Sequence, residues 1–347
     1  MKNSLYLVTD DHPHLASCEQ CGSSLILHGH ATPLCNDCRQ QFLKYPIPVW
    51  IKCFGIGVLT LMLYCCISFP SNLNLGLSIE RGKRAEKEKR YVTAQREFSK
   101  AADLLPDDID IQCHLALAAY HNMDLNAFSL IAEKLEGKSV ANDQLYKQVD
   151  QVMTKFTNYM PKDSMIELMK VYNNAIPDQP FRKYLRKHPE DMYGHFSYAS
   201  ILFDHNRFKL SDSLLQLILR KDPDYFPALR LMASLKRETN EFAESDSYND
   251  KLLSINREAG YALASKARTR LKQKQDAEGL RMALQSVKLD KDDPYNTATL
   301  ILAYHFNGQF QKRDELITTC RQNSETNAEF VQYVSDVING KVPFRIQ

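Results

Sequence analysis

Apolar positions along the chain follow one continuous pattern and one periodic pattern. From Val49 to Phe69 the sequence is almost unbroken apolar, and Lys52 is its only charge. After this segment the apolar residues recur at the spacing of one helix face, which predicts a series of amphipathic helices. The clearest early example is the set Ala94, Phe98, Ala101 and Leu105.

The continuous apolar stretch predicts a transmembrane helix over residues 49–70. At 1.5 Å per residue its length matches the ~30 Å hydrocarbon core of a bilayer. Trp50 stands where an aromatic residue of the membrane interface belongs. The stretch begins too far along the chain to be a cleavable signal peptide, so we expect it to remain as an anchor. We expect Cys65 and Cys66 to be small apolar side chains in lipid, with acylation as the alternative.

Two signals disagree on the orientation of this anchor. Basic residues beyond it outnumber those before it, but they belong to the first helix of a large domain, where the positive-inside rule is weak. The cysteines before it favour a reducing compartment. We therefore expect a single-pass protein of the bacterial inner membrane, with its N-terminus in the cytoplasm and the domain 71–347 on the opposite side.

A period of 34 residues organises the second half of the chain. Boundary residues recur at Pro189, Pro223, Arg257 and Lys291. Two further columns share this phase, an alanine column at Ala199, Ala233 and Ala267 and an aromatic column at Phe208, Phe242 and Phe310. Columns of three kinds in one phase indicate stacked structural repeats.

These residues resemble the tetratricopeptide repeat (TPR) family, whose unit is a pair of antiparallel helices. An early unit carries the family pattern at Gly82, Tyr91, Ala94, Phe98, Ala101 and Pro106. The resemblance implies an all-α fold, a TPR-type α-solenoid, with repeats over 75–108, 192–225, 226–259, 260–293 and 294–327 and a capping helix over 329–339. Residues 109–191 fit the pattern poorly, and we expect the helix after Asp124 to be out of phase.

By the same resemblance, the first helix of each repeat lines a concave groove that receives a protein or peptide. The positions that would face this groove are Tyr193, Phe196, Phe203, Arg230, Arg237, Tyr261, Arg268, Lys272, Tyr295 and His305. Tyrosine and arginine are typical recognition residues. The basic members of this set indicate an acidic or carboxylate-ended ligand.

Residues 1–48 contain two C-x2-C pairs, Cys18 with Cys21 and Cys35 with Cys38. This spacing resembles a zinc ribbon, in which four thiolates hold a structural Zn²⁺ and leave no open coordination position. A segment this short cannot bury enough apolar surface to fold alone, so metal would supply much of its stability. Two disulfides or a redox pair are the alternatives. We expect a short strand over 24–28, and we expect the nearby histidines to be solvated rather than ligands.

Composition narrows the functional classes further. The 44 basic and 42 acidic residues give a net charge of +2, which speaks against a nucleic-acid binder. No motif of a metalloprotease, a nucleophilic hydrolase or a dinucleotide-binding fold occurs, so we expect no enzyme and no small-molecule substrate. We predict a membrane-anchored scaffold or adaptor that binds protein partners. The alternative is a regulatory or envelope-assembly protein whose zinc ribbon contacts a cytosolic protein or nucleic acid.

Overall fold

The computed structural model divides the chain into two compact units, residues 1–72 and 73–347. It describes residues 17–27, 29–43, 47–138, 142–323 and 328–345, apart from the side chains of 43, 65–72, 323 and 328. These residues form 17 α-helices and one turn of 3-10 helix at Thr157–Tyr159, with no strand among them. The fold is therefore all-α, as the periodicity predicts.

In the first unit, helix α1 (Asn36–Leu43) begins within the second cysteine pair, and α2 (Val49–Lys87) begins within this unit. The strand expected over 24–28 is wrong for residues 24–27, which have no regular structure, and His28 lies outside the described residues. The predicted span 49–70 is helical throughout, but its side chains are described only as far as Tyr64. Among the described residues, none of the helices is both long enough and apolar enough for a membrane crossing.

The second unit consists of antiparallel helix pairs. Its helices after α2 are α3 (Tyr91–Leu104), α4 (Ile109–His121), α5 (Leu125–Leu135), α6 (Asp143–Phe156), α7 (Asp163–Val171), α8 (Asp178–Lys187), α9 (Met192–Asp204), α10 (Phe208–Lys221), α11 (Phe226–Glu238), α12 (Phe242–Ile255), α13 (Gly260–Lys272), α14 (Asp276–Leu289), α15 (Pro294–Phe306), α16 (Phe310–Asn323) and α17 (Ala328–Ile338). From α9 to α16 the first helices of successive pairs begin 34 residues apart, and so do the second helices. The structure is TPR-like in this respect.

The turn inside each of these pairs repeats one backbone conformation. Asn206, Asn240, Lys274 and Gly308 all have φ between 57° and 68°, in the left-handed region. Glycine enters this region freely and asparagine at little cost, whereas lysine is strained there. The 34-residue period is therefore imposed by the turn as well as by the helix faces.

The expected phase shift after Asp124 is wrong. Helix α5 begins at Leu125, 34 residues after α3 begins at Tyr91. The carboxylate of Asp124 accepts a hydrogen bond from the backbone N–H of Ala127 at 3.1 Å, which fixes the helix start. A polar capping residue sets the phase here, although leucine stands where other pairs carry an aromatic residue.

Small residues allow the two helices of each pair to approach closely. Ala199, Ala233 and Ala267 are fully buried. In the two earlier of these pairs the second helix also donates a serine hydroxyl to the first: Ser211 to the carbonyl of Ala199 at 2.8 Å, and Ser245 to that of Ala233 at 2.7 Å. The alanine column is thus a packing feature, and each serine satisfies a buried polar group on the neighbouring helix.

The turn between α2 and α3 contacts the connection between α12 and α13, about 165 residues further along the chain. Lys89 accepts the N–H of Arg257 through its carbonyl at 2.8 Å, and the N–H of Tyr91 donates to Asn256 at 3.2 Å. Thr93 donates its backbone N–H and its hydroxyl to the carboxylate of Glu258, each at 2.7 Å. We call this contact between residues 89–93 and 254–258 the clasp. It joins the first helix pairs to later ones directly.

Candidate functional site

The four cysteines of the first unit converge on one point. All of their sulfur atoms lie within 4.8 Å of one another, and Cys21 Sγ is 3.6 Å from Cys35 Sγ. A disulfide needs about 2.05 Å, so these thiols are not bonded to one another. Cys18, Cys35 and Cys38 are buried and Cys21 is exposed. The arrangement corresponds to a closed four-ligand site rather than to two disulfides.

The local backbone conformation directs the four cysteine sulfur atoms toward one point. Gly22 has φ of +72° and donates its N–H to the carbonyl of Cys18 at 2.8 Å, which closes the first turn tightly. The second pair stands at the start of α1, where the N–H of Cys38 donates to the sulfur of Cys35 at 3.4 Å. Partly buried Ile26 and Leu34 alone pack against the buried cysteines among the described residues. Because so small an apolar cluster contributes little stability, a bound metal would have to supply much of the stability of this unit.

The donor set fits zinc. Four thiolates at about 2.3 Å from a tetrahedral Zn²⁺ lie about 3.8 Å apart, close to the distances found. The backbone amide of Cys35 lowers the pKa of Cys18 to about 6, whereas hydrogen bonds to Cys21 and Cys35 raise the pKa of Cys38. Four crowded sulfurs therefore cannot all ionise without a cation between them. Among the histidines near the pairs, His30 is not part of the cluster, and His12, His14 and His28 lie outside the described residues.

The ten groove residues predicted from the sequence all lie on the first helices of the later pairs, but they differ in exposure. Arg230 is exposed, and its guanidinium lies 4.6 Å above the ring of Tyr261. Arg237 and Arg268 are buried, 4 % and 6 % exposed. The other members are half-buried: Tyr193, Phe196, Phe203, Tyr261, Lys272, Tyr295 and His305. In the structure the central members of this set lie close together, whereas the members at either end do not join them.

Arg237 and Arg268 flank Tyr295 at the centre of the group. Arg237 donates to the hydroxyl of Ser265 at 3.1 Å and lies 3.3 Å from the carboxylate of Glu238. The guanidinium carbon of Arg268 is 4.0 Å from the Tyr295 ring centroid. Burial raises the pKa of Tyr295, but the two guanidinium groups outweigh it and lower the pKa below its ordinary value. The two guanidinium groups therefore favour negative charge at Tyr295.

Arg268 is a buried cation whose hydrogen-bonding groups are only partly satisfied. Its Nε donates to the hydroxyl of Thr299 at 2.8 Å, but its buried Nη2 has no hydrogen-bond partner within the described residues. No described carboxylate forms an ion pair with it, and a second ring, that of Tyr333, lies 5.6 Å away. A buried cation without a counter-ion is costly unless a ligand supplies one. This geometry suits an incoming carboxylate.

A cavity of about 260 Å³ is lined in part by Ser265 and Tyr295, which contact Arg237 and Arg268 respectively. Its walls are mainly apolar, with Phe196, Pro227 and Leu231 together with the rings of Tyr261 and Tyr295. The hydroxyl of Tyr261 is buried and has no hydrogen-bond partner in the described chain, and burial raises its pKa to about 12. The cavity can therefore hold an apolar side chain that ends in, or stands next to, a hydrogen-bonding group.

The remaining predicted residues are engaged within the protein. Lys272 Nζ is 2.6 Å from the carboxylate of Glu238, and Phe203 packs against the ring of Phe208 with centroids 5.5 Å apart. His305 contacts the Arg313 guanidinium at 3.1 Å through Nδ1, and burial lowers its pKa. Tyr193 packs against a separate apolar cluster formed largely by α8 and α9. These four residues do not share the central site.

Several contributors to the site were missed from the sequence. Ser265 and Asn249 line the cavity, and Tyr333 approaches Arg268 from α17. Ser265 stands four positions after the predicted Tyr261 on the same helix, so helical spacing could have found it. Asn249 belongs to a second helix and Tyr333 to the capping helix, and neither has a pattern that signals a groove position.

Comparisons with known proteins add distant likenesses of fold. No protein-family model matches the chain, and no curated protein matches it. Among solved structures, yeast Tom70 is 16% identical with a TM-score of 0.35, and the match covers 72% of this chain and 60% of that one. The APC/C hetero-tetramer Cut9–Hcn1 is 12% identical at 0.35, covering 74% and 55%. The TPR2AB domain in the yeast Sti1 complex with pHSP90 is 14% identical at 0.28, covering 66% and 98%. The chain thus spans less than two thirds of the first two structures.

Proposed function

We propose that this protein is a non-catalytic adaptor whose helix pairs bind an acidic segment of a partner protein. The observation that carries the proposal is Arg268, a cation only 6 % exposed that lacks a carboxylate partner and whose Nη2 lacks a hydrogen-bond partner among the described residues. An acidic group of the ligand supplies the missing counter-ion. Charge-assisted hydrogen bonds to a guanidinium are among the strongest that a groove can offer.

The charges and the cavity near Arg268 indicate which peptide sequence would bind. The exposed Arg230 adds positive charge, and Glu238 is the shared carboxylate partner of Arg237 and Lys272. The mainly apolar cavity of about 260 Å³ accommodates one medium-sized side chain. We therefore expect an Asp, Glu or C-terminal carboxylate next to an aliphatic or aromatic residue.

A peptide array tests this function. The full chain is expected to select short peptides in which acidic and apolar residues are adjacent. Arg268→Met should weaken the best peptides at least about 10-fold, since a hydrogen bond to a charged group contributes about 1.5–3 kcal/mol. Arg281→Met is the matched control, because Arg281 is exposed on α14 and also loses one charge. Selection without acidic enrichment, or unchanged binding by Arg268→Met, would refute the proposal.

The first unit is proposed to bind one structural Zn²⁺ through Cys18, Cys21, Cys35 and Cys38. The convergent sulfurs and the small apolar cluster support this assignment. Elemental analysis of the purified chain should give one zinc per molecule, and replacing Cys18 and Cys21 by serine should remove it. Cys53→Ser, a change at an exposed cysteine outside the cluster, should keep it. Absence of zinc from the wild type would refute the assignment.

Residues 49–70 are proposed to anchor the chain in a membrane. The described part of this segment supports the proposal, since Val49, Trp50, Phe54, Leu61 and Tyr64 are each more than half exposed and offer an apolar surface. Residue 30 is proposed to be cytoplasmic and residue 340 to be on the opposite side of the bacterial inner membrane. Reporter fusions at these two positions test both parts. Reporters on the same side would overturn the single span.

A further inference from the structure

A second cavity, of about 510 Å³, lies among the first helix pairs of the second unit. The end of α2 forms one wall, α4 and α6 form others, and Asp224, Phe226 and Ile255 close it from later helix pairs. The clasp holds this closing segment against the turn after α2. Cavities of about 300–1,000 Å³ are typical of small-molecule sites, and this space is bounded on several sides.

Positive charge along this cavity is only partly balanced. Lys83 and Lys87 line it from neighbouring turns of α2, and neither forms an ion pair with a described residue. Lys155 adds a third cation from α6, with its nearest carboxylate, that of Asp222, at 3.7 Å. Three cations facing one space repel one another, and a bound anion relieves that repulsion.

The two acidic residues that line the cavity are already paired. Glu86 lies 2.8 Å from Nδ1 of His114. Asp224 lies 2.7 Å from Nζ of Lys251, which is not a lining residue. Lys251 therefore already neutralises Asp224, whereas Glu86 keeps its charge and offsets one of the three lysines.

The interior of the cavity is largely apolar and includes the flat faces of aromatic rings. The rings of Tyr91 and His121 stack with centroids 4.6 Å apart, and Leu117, Tyr120 and Phe226 line the same space. The Nδ1 atom of His121 is buried without a hydrogen-bond partner among the described residues. Burial lowers the pKa of this histidine to about 4, so its ring is neutral near pH 7. The site thus offers surfaces for a ring and one hydrogen-bonding atom.

We propose that this cavity is a second binding site, for a small organic anion that carries a planar ring. Lys83, Lys87 and Lys155 hold the phosphate or carboxylate, and the ring lies against Leu117 and Phe226 while His121 hydrogen bonds to its edge. The site is separate from the Arg268 groove and uses other helices. The sequence-based expectation was that the protein has no small-molecule substrate, and this proposal adds a small-molecule ligand.

Isothermal titration calorimetry of the full chain with 1-naphthyl phosphate tests this site, with 1-naphthol and inorganic phosphate as the two half-ligands. We expect saturable 1:1 binding of 1-naphthyl phosphate and at least about 10-fold weaker binding of either half-ligand. Replacing Lys83 and Lys87 by methionine should weaken binding about 10-fold, the sum of two partly exposed charge contacts. Gln151→Trp, at an exposed position on the rim, should block the cavity.

Two control variants make the result specific to this cavity. Replacing Lys209 and Lys288 by methionine removes the same charge from exposed positions elsewhere and should leave binding unchanged. Arg268→Met should also leave it unchanged, which separates this site from the groove. Three outcomes overturn the proposal: no saturable binding to the wild type, equal binding of inorganic phosphate alone, or wild-type affinity in both Gln151→Trp and the Lys83 and Lys87 double variant.

Discussion

Replacing Arg268 by methionine is expected to stabilise the protein while removing its ligand. The buried guanidinium keeps one hydrogen bond, to Thr299 at 2.8 Å, which contributes about 1 kcal/mol. Its position 4.0 Å from the Tyr295 ring contributes up to about 2 kcal/mol. Against these stand the unsatisfied Nη2, at about 1–3 kcal/mol, and the desolvation of a charge, at several kcal/mol. Methionine has a similar length and neither cost. We expect the free energy of unfolding to rise by about 1–3 kcal/mol.

Urea unfolding of the full chain, followed by far-UV circular dichroism, measures this difference. The midpoint should rise in Arg268→Met with an unchanged slope, because a change in slope would indicate an altered unfolded state or a loss of two-state behaviour. Arg281→Met is again the control and should stay within about 0.5 kcal/mol of the wild type, as expected for an exposed position.

The opposite sign would refute the reasoning. If Arg268→Met lowers the free energy of unfolding by more than about 1 kcal/mol, the guanidinium is a structural element and its unsatisfied donor does not mark a ligand site. A stabilised variant that no longer binds acidic peptides would show the exchange of stability for function that is common at binding sites.

Four further substitutions test the second unit. Gly82→Ala should lower the free energy of unfolding by about 1–3 kcal/mol, since its Cβ would lie 2.8 Å from the buried ring of Phe98, whereas Gly76→Ala meets nothing within 4 Å and should raise it by about 0.5–1 kcal/mol in urea titrations. Lys274→Gly should raise the thermal midpoint, because it relieves a lysine held at φ of 62°, and a lower midpoint would contradict this. The pKa of His121 is lowered to about 4, so its contribution is complete above pH 6.5 and is lost as the pH falls towards 4 while the unfolded state takes up the proton. His121→Phe should therefore remove up to about 3 kcal/mol of the fall in unfolding free energy between pH 7 and 4, and an unchanged pH profile would refute this.

The helix pairs could be predicted from the sequence because the residues of each pair specify its packing and its turn. Ala233 and Ala267 recur at the point of closest helix approach, and asparagine recurs in the turns at Asn206 and Asn240, so packing and turn geometry share one period. The phase after Asp124 could also have been found, since the capping carboxylate is visible in the sequence. The prediction of a phase shift was wrong because it assumed that an aromatic residue must begin the second helix of a pair.

The candidate site was less accessible to sequence reasoning. Tyr261 and Arg268 follow from the groove positions that the TPR resemblance implies, but the same positions include Lys272 and His305, which pair inside the protein. Whether a cation is free for a ligand depends on neighbours from other helices, and a period alone does not show them. The contact of Tyr333 with Arg268 depends on where α17 packs. For the same reason, the cavity lined by α2, α4 and α6 has no counterpart in the sequence pattern.

The clasp between residues 89–93 and 254–258 changes how such an array can assemble. In a stack that contacts only its neighbours, stability is nearly a sum of local terms and each end can fray by itself. A bond network across 165 residues closes a large loop, which raises the mean sequence separation of contacts and slows folding. During synthesis the first helix pairs must wait until Glu258 has left the ribosome before Thr93 gains its partner. The early helix pairs therefore gain all of their contacts only after the late pairs have been synthesised.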